Sequence, residues 1–236
     1  MKQLRVASYN VHKCVGTDGV FDPARIVAVL AEIDADIVAL QEADHRFGER
    51  EGLLDLDLLY KETGLSHAPL PPALRTKRKS HGWRDNVILY RSGAVRDMRH
   101  IDLPGFEPRG ALVVDIHTKQ RTVSVIGAHL GLLKHSREEQ ARALLMLAIP
   151  SESDAVVLMG DMNEWRSPAH SSLKALDLVL GQHPSPHSFP ATHPRFSLDR
   201  IFTVPVDILS PIEVHDTPLA QRASDHLPIT ARISLS

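Results

Sequence analysis

A chain of 236 residues, 43% hydrophobic and 24% charged, is long enough to bury one large layered core, and no Ser/Gly linker or shift in composition marks a second domain. The formal net charge of -2 excludes the global positive field of a tight, sequence-blind nucleic-acid binder, and the single cysteine, Cys14, excludes an intramolecular disulfide. No apolar run approaches the ~20 residues that span a bilayer, and Met1 to Arg5 leads directly into an apolar strand, so the expectation is one cytoplasmic, monomeric domain over 1–236.

Leu4 to Tyr9 reads as a buried strand that ends on Asn10. Asp22-Pro23 is a helix start, with Ile26, Val27, Leu30 and Ile33 on one face, and Ile37 to Leu40 is the strand that delivers Glu42. An amphipathic helix is expected within Glu51 to Thr63, then an irregular stretch from Pro69 to His81. The basic run Arg75, Lys77, Arg78, Lys79 and Arg84 serves equally as a substrate rim or as a solvated loop. Strands follow at Val87 to Tyr90, Val95 to Ile101, Ala111 to His117 and Val123 to Gly127, the last ending on His129. Ser136 with Glu139 three residues on predicts a capping box that opens a helix with Ala141, Leu144, Leu145 and Ala148 inward. Ala155 to Met159 is a strand delivering Asp161, Ser167-Pro168 starts a short helix, Ser197 to Val204 is a strand carrying Asp199, and Ile229 to Leu235 is the last strand.

Helical crossovers near each end, with successive strands between them, predict two face-to-face sheets with helices outside, not one doubly wound parallel sheet. Each half holds a strand-helix-strand unit that ends in a carboxylate, Glu42 or Asp161, which suggests an internal pseudo-symmetry.

The chain has no Walker loop, dinucleotide glycine pattern, His-Glu-x-x-His helix or Gly-x-Ser-x-Gly elbow. Polar residues instead stand at strand ends, and the set is rich in oxygen donors: Asn10, Glu42, Asp161, Asn163 and Asp225. Such donors suit a hard divalent cation, Mg²⁺ or Mn²⁺, where zinc would favour His and Cys. From spacing alone each residue has a plainer reading: a solvated loop carboxylate for Glu42, a turn for Asn10, a helix cap or turn for Asp161 and Asn163, a surface arginine for Arg109.

The ordered set Ser8-Tyr9-Asn10, Leu40-Gln41-Glu42, Asn86-Val87-Ile88-Leu89, Ala128-His129-Leu130, Gly160-Asp161-Met162-Asn163, Leu198-Asp199-Arg200-Ile201 and Ser224-Asp225-His226-Leu227-Pro228-Ile229 resembles the endonuclease/exonuclease/phosphatase (DNase I-like) superfamily over nearly the whole chain. The resemblance implies a four-layer α/β/β/α sandwich of two mixed, mostly antiparallel sheets. It implies that Glu42 is the principal metal ligand, with Asn10 and Asp225 beside it, and that Asp161 orients the attacking water. Asn163 would then hydrogen-bond the phosphate, Asp199 would orient His226, and His129 would bind or protonate a phosphate oxygen, itself oriented by Asp85 or Asn86. Arg109 and Asn86 are the candidate substrate contacts. The loop of His183, His187, Phe189 and His193 is read either as a specificity loop or as plain surface.

The expected activity is metal-dependent phosphoester hydrolysis, most simply of a phosphodiester, with a DNA or RNA nuclease of the same fold as the alternative. A scaffold that has kept the fold without the chemistry is disfavoured because none of the site residues is missing. Nucleic acid, phospholipid head groups, phosphoinositides and small phosphodiesters all remain open as substrates, since the resemblance resides in the phosphate machinery.

Overall fold

In the computed structural model, which describes residues 2–45, 51–70, 79–118, 121–149 and 153–235, strand β1 (Lys2–Asn10) pairs in parallel with β2 (Ile37–Gln41), and helix α1 (Pro23–Ile33) makes the crossover. Asp22 caps α1 by accepting from the Arg25 amide at 3.1 Å, Pro23 fills the first turn, and Asp34, left-handed at φ 50°, ends the helix. Helix α2 (Leu56–Thr63) is capped by Asp55 and leads to β3 (Ser66–His67), which pairs with β4 (Val87–Tyr90). The antiparallel run β5 (Ala94–Asp102), β6 (Gly110–His117) and β7 (Thr122–His129) follows. Helix α3 (Lys134–Ala148) then crosses to β8 (Ala155–Asp161), parallel to β7. Helix α4 (Lys174–Leu180), β9 (Asp199–Val204), β10 (Glu213–Val214), α5 (Pro218–Ala223) and β11 (Ile229–Leu235) complete the chain.

The strands form a six-stranded sheet, β10-β11-β1-β2-β4-β3, and a five-stranded sheet, β5-β6-β7-β8-β9. Each contains one parallel pair, closed by a helix, among antiparallel neighbours, so the expected mixed sandwich and its repeated unit are both present. Three apolar layers hold it together. Ile26, Leu30 and Ile33 of α1 pack on Ala7, Tyr9 and Val38; Val6, Ile37, Val125, Val157 and Ile201 meet between the sheets; Leu144 of α3 and Leu176 of α4 cover Ile126, Leu158 and Phe202.

Period-two alternation explains both the layers and the position of the polar residues. Val123 and Val125 of β7, Ala155, Val157 and Met159 of β8, and Ile201 of β9 face the opposite sheet. Steps of two from them along the same strands reach His129, Asp161 and Asp199, so these side chains continue the inter-sheet face at its open end.

Two expectations change. α3 begins at Lys134, and Ser136 lies buried inside it: its Oγ accepts from the Phe106 amide at 3.2 Å, so it anchors a neighbouring loop and caps nothing. β3, β10 and α5 were not anticipated, because two-residue strands and a six-residue helix carry too little periodicity to be read. Among the described residues no helix is long and apolar enough to cross a membrane.

Candidate active site

β7, β8 and β9 lie side by side in a register that pairs His129 with Asp161 and Asp161 with Asp199, so three functional groups share one face of one sheet. Gly160 makes the approach possible: at φ +156° an added Cβ would fall 1.8 Å from the Ala128 carbonyl oxygen, a collision with backbone. From the other sheet β1 brings Asn10 and β2 brings Glu42. His129, Asp161, Asn10 and Glu42, together with Arg109, Asn163, Asp225 and His226, line a cleft of about 470 Å³, and Asp199 lies buried behind His226.

Asp161 is the hub. Its Oδ2 accepts from Asn10 Nδ2 at 3.0 Å, across the two sheets, and lies 3.5 Å from His129 Nε2 and 3.7 Å from His226 Nε2. Its Oδ1 accepts from the Asn163 amide at 2.9 Å, which holds Asn163 left-handed at φ 49°. One Nδ2 hydrogen of Asn163 goes to the Leu130 carbonyl at 3.0 Å; the amide carries a second.

The two imidazoles are held in different states. Arg109 Nη1 lies 3.0 Å from His129 Nδ1, and because a guanidinium only donates, Nδ1 accepts and the ring proton sits on Nε2, toward Asp161. His226 Nδ1 instead faces the Asp199 carboxylate at 3.0 Å. Burial would lower the pKa of His226, but the carboxylates of Asp199 and Asp161 outweigh it and raise it to about 10, so this ring is an imidazolium at neutral pH. Ser188 Oγ donates to the same Asp199 oxygen at 2.5 Å, and the Phe189 ring packs on His226 with centroids 4.8 Å apart.

Glu42 occupies a more open position. It is left-handed at φ 55°, and Lys13 Nζ lies 2.9 Å from its Oε2. Burial pushes its pKa up, yet the Lys13 ammonium, with His12 and Arg109 behind it, holds the carboxyl below its ordinary value. His12, Lys13 and Cys14 form a left-handed turn with φ of 45°, 53° and 58°. Such a run of non-glycine residues is strained, and it is tied to β2 by the Lys13 amide on the Glu42 carbonyl at 3.2 Å. His12 Nδ1 stands 3.8 Å from Asp225 Oδ1, an oxygen shielded from solvent that has no hydrogen-bond partner among the described residues. Among the described residues no group of three or more His, Cys, Asp or Glu is placed so that it could hold a metal ion.

The expected residues therefore converge, with Asn86 as the exception. Its Nδ2 donates to the carbonyls of Trp83, Arg84 and Gly110 at 3.2, 3.0 and 3.1 Å, and it does not line the cleft; it braces the start of β6 beside Arg109. Of the histidine-rich loop, Phe189 lines the cleft, and His183, His187 and His193 do not. Arg84 is turned to Asp102 at 2.8 Å, Arg75, Lys77 and Arg78 of the basic run lie outside the described residues, and Lys79 is not a lining residue.

Sequence reasoning missed several contributors. Lys13 and Ser188 are distant in the chain from the groups they serve, apart from the signal that Lys13 shares a loop with Asn10. Apart from Phe189, the apolar wall of Leu132, Trp165, Phe189, Phe196 and Leu198 was also missed, because its members come from three loops. Arg137 had a readable signal, a charged residue one helical turn before Ala141 and two before Leu144 on the inward face. It is fully buried, and donates to Ser172 Oγ at 3.0 Å and to the carbonyls of Gly131 and Leu132 at 3.2 and 2.5 Å, fixing the loop that follows His129.

A model of the family described as Endonuclease/Exonuclease/phosphatase matches residues 7–226. The uncharacterized protein YbhP of Escherichia coli (strain K12) is 32% identical over 169 residues, 65% of this chain, and the match spans 64% of YbhP. Among solved structures, an endonuclease/exonuclease/phosphatase from Beutenbergia cavernae DSM 12333 superposes with a TM-score of 0.73 at 21% identity, covering 100% of this chain and 72% of that one. A mannosyl-6-phosphatase from Bacteroides thetaiotaomicron VPI-5482 gives 0.70 at 17% identity over 97% and 98% of the two chains. At these identities the likeness is one of fold.

Proposed function

The chain belongs to the endonuclease/exonuclease/phosphatase family, and from its cleft we propose that it is a phosphoester hydrolase dependent on a divalent cation, acting on phosphodiesters by in-line attack of water. One observation carries this reading: a single buried carboxylate, Asp161, stands 3.5 Å from the His129 imidazole and 3.7 Å from that of His226, in a cleft that Glu42 and Asp225 also line.

In this reading Asp161 holds the attacking water and accepts its proton, with His226 fixing the water's position. The charge that develops on phosphate oxygens is met by donors already in place: the His226 imidazolium, the Nε2–H of His129, the free Nδ2 hydrogen of Asn163 and the Arg109 guanidinium. Positioned donors in a cleft lose nothing to reorganisation during the reaction, which is where most of the acceleration in phosphoryl transfer resides.

The residues present fit a hard cation. Glu42 already draws a cationic group, the Lys13 ammonium, and Asp225 Oδ1 is shielded with no hydrogen-bond partner among the described residues. Glu42, Asp225 and Asn10 would hold Mg²⁺ or Mn²⁺ through oxygen atoms, with water completing the shell. Bound there, the ion supplies charge neutralisation at the phosphate and its leaving oxygen.

The test is a panel of bis(p-nitrophenyl) phosphate, plasmid, abasic duplex, phospholipid and inositol phosphates, with Mg²⁺ or Mn²⁺ and with chelator. Metal-dependent turnover that disappears in Glu42→Gln is expected. Absence of turnover on every substrate, or turnover that persists in Glu42→Gln and so belongs to a contaminant, would refute the reading.

A further inference from the structure

The apolar wall of the cleft does not stop at its edge. Leu132 and Leu133 follow one another at the tip of the loop after β7, 60% and 52% exposed, and Phe106, on the neighbouring loop, is 83% exposed. The two loops are bound together: Glu107 Oε1 accepts from the amides of Leu132 and Leu133 at 2.7 and 3.0 Å, and Ser136 Oγ accepts from the Phe106 amide at 3.2 Å. Leu132 also lines the cleft, beside Trp165 and Phe196, which are themselves 48% and 42% exposed. Burying large apolar side chains is favourable, so a contiguous set held outward beside a catalytic cleft marks a contact surface.

Its charge pattern indicates the occupant. Each of three loops sets a cationic residue next to its apolar one: Leu133 is followed by Lys134, Trp165 by Arg166, and Phe196 is preceded by Arg195. Among the described residues Lys134 pairs only within its own helix, with Glu138 at 3.5 Å, Arg166 lies over the Trp165 ring at 5.0 Å and 3.7 Å from Glu164, and Arg195 has no acidic partner. The one carboxylate between the two leucine-bearing and phenylalanine-bearing loops, Glu107, is directed inward to backbone amides. Apolar tips ringed by cations are what an interface of anionic headgroups over hydrocarbon demands. A platform for single-stranded nucleic acid would place π-faces at the most exposed positions, and two of the three most exposed residues here are leucines.

We propose that this lip seats the protein on an anionic phospholipid surface and brings a lipid phosphodiester within reach of the cleft. The second half of that statement rests on the hydrolase reading above; the docking itself does not.

The experiment is co-flotation of the full chain with vesicles of phosphatidylcholine alone or mixed with phosphatidylglycerol, in chelator so that no hydrolysis intervenes. Binding to the anionic vesicles is expected, with a blue shift in emission from Trp165, since Trp83 is buried at 5% exposure. Phe106→Ser/Leu133→Ser, neither of which lines the cleft, should lower the bound fraction at least about tenfold, as expected for removing two large apolar contacts. The same variant should keep wild-type turnover of bis(p-nitrophenyl) phosphate. Wild-type protein that fails to float, or a double variant that floats as well as wild type, overturns the proposal. So does Trp165 emission that responds to a single-stranded oligonucleotide and not to vesicles. Vesicle binding without turnover on any phosphoester would support the docking surface and strike the hydrolase reading alone.

Discussion

In the unit β1–α1–β2 the helix docks through Ile26, Val27, Val29, Leu30 and Ile33, an unbroken apolar face, and its start is closed by the Asp22 side chain. In β7–α3–β8 the helix has no side-chain cap, and its first two inward turns present Ser136, Arg137 and Gln140 before Ala141 and Leu144 take over. Those polar residues hold loops. Gln140 accepts from the Gly131 amide at 2.8 Å and donates to the Pro104 carbonyl at 2.9 Å, and Arg137 reaches the loops after β7 and after β8, with its Nη2 3.7 Å from Glu164 Oε2. The same supersecondary unit is thus used twice for different ends. The first needs only to place Glu42 on an open rim and is secured by hydrophobic burial. The second carries His129, Asp161 and Asn163, and a directional network around a buried guanidinium fixes the neighbouring loops where apolar contact, which is non-directional, would not.

The comparison breaks most visibly at Arg137. Arg137→Met should lower unfolding free energy by ~3 kcal/mol, because it leaves the buried Glu164 carboxylate with only the partly exposed Arg166 as a cationic neighbour, and it should lower turnover as the loop after His129 loses its anchor. Urea denaturation alongside steady-state kinetics measures both; a variant that matches wild type in each would show the network to be dispensable.

Next in size is the pair His226 and Asp199. Asp199→Asn should reduce turnover by ~10² with the fold retained, by analogy with other oriented catalytic histidines. The folded pKa of His226 is raised to about 10, above its ordinary 6.5. The pairing therefore contributes stability that is fully present below pH 6.5 and is lost as pH rises through about 10. The stability gap between wild type and Asp199→Asn should be widest at pH 6 and close towards pH 10. A gap independent of pH would mean that Asp199 acts through packing and Ser188 alone.

The smallest effect sharpens the contrast from the other side. Asp22→Ala should cost about 1 kcal/mol, the ordinary value of a helix cap, and leave turnover at wild-type level, because α1 is held by its apolar face. Lost activity in Asp22→Ala would show that the first unit, too, transmits its cap to the site.

Much of this molecule is legible before any tertiary contact is known. Short apolar runs such as Val123 to Gly127 and Ala155 to Met159 identify strands, Asp22-Pro23 marks a helix start, and a polar residue just beyond a run marks a strand end that could face a common cleft. These signals are local, set by the pleat and by the capping of backbone amides. Whatever depends on residues far apart in the chain was decided by the packing of the two sheets. Asn10 meets Asp161 across 151 positions; the meeting of His226 and Asp199 across 27 was expected from the family resemblance alone, not from any local pattern. Arg109 fixes the tautomer of His129 because β6 lies beside β7, Lys13 faces Glu42 because a strained turn is tied to β2, and Ser136 anchors Phe106 where its spacing to Glu139 reads as a cap. The reason is that a side chain's partner is set by whichever loops the sheets bring together, and neither periodicity nor propensity carries that information.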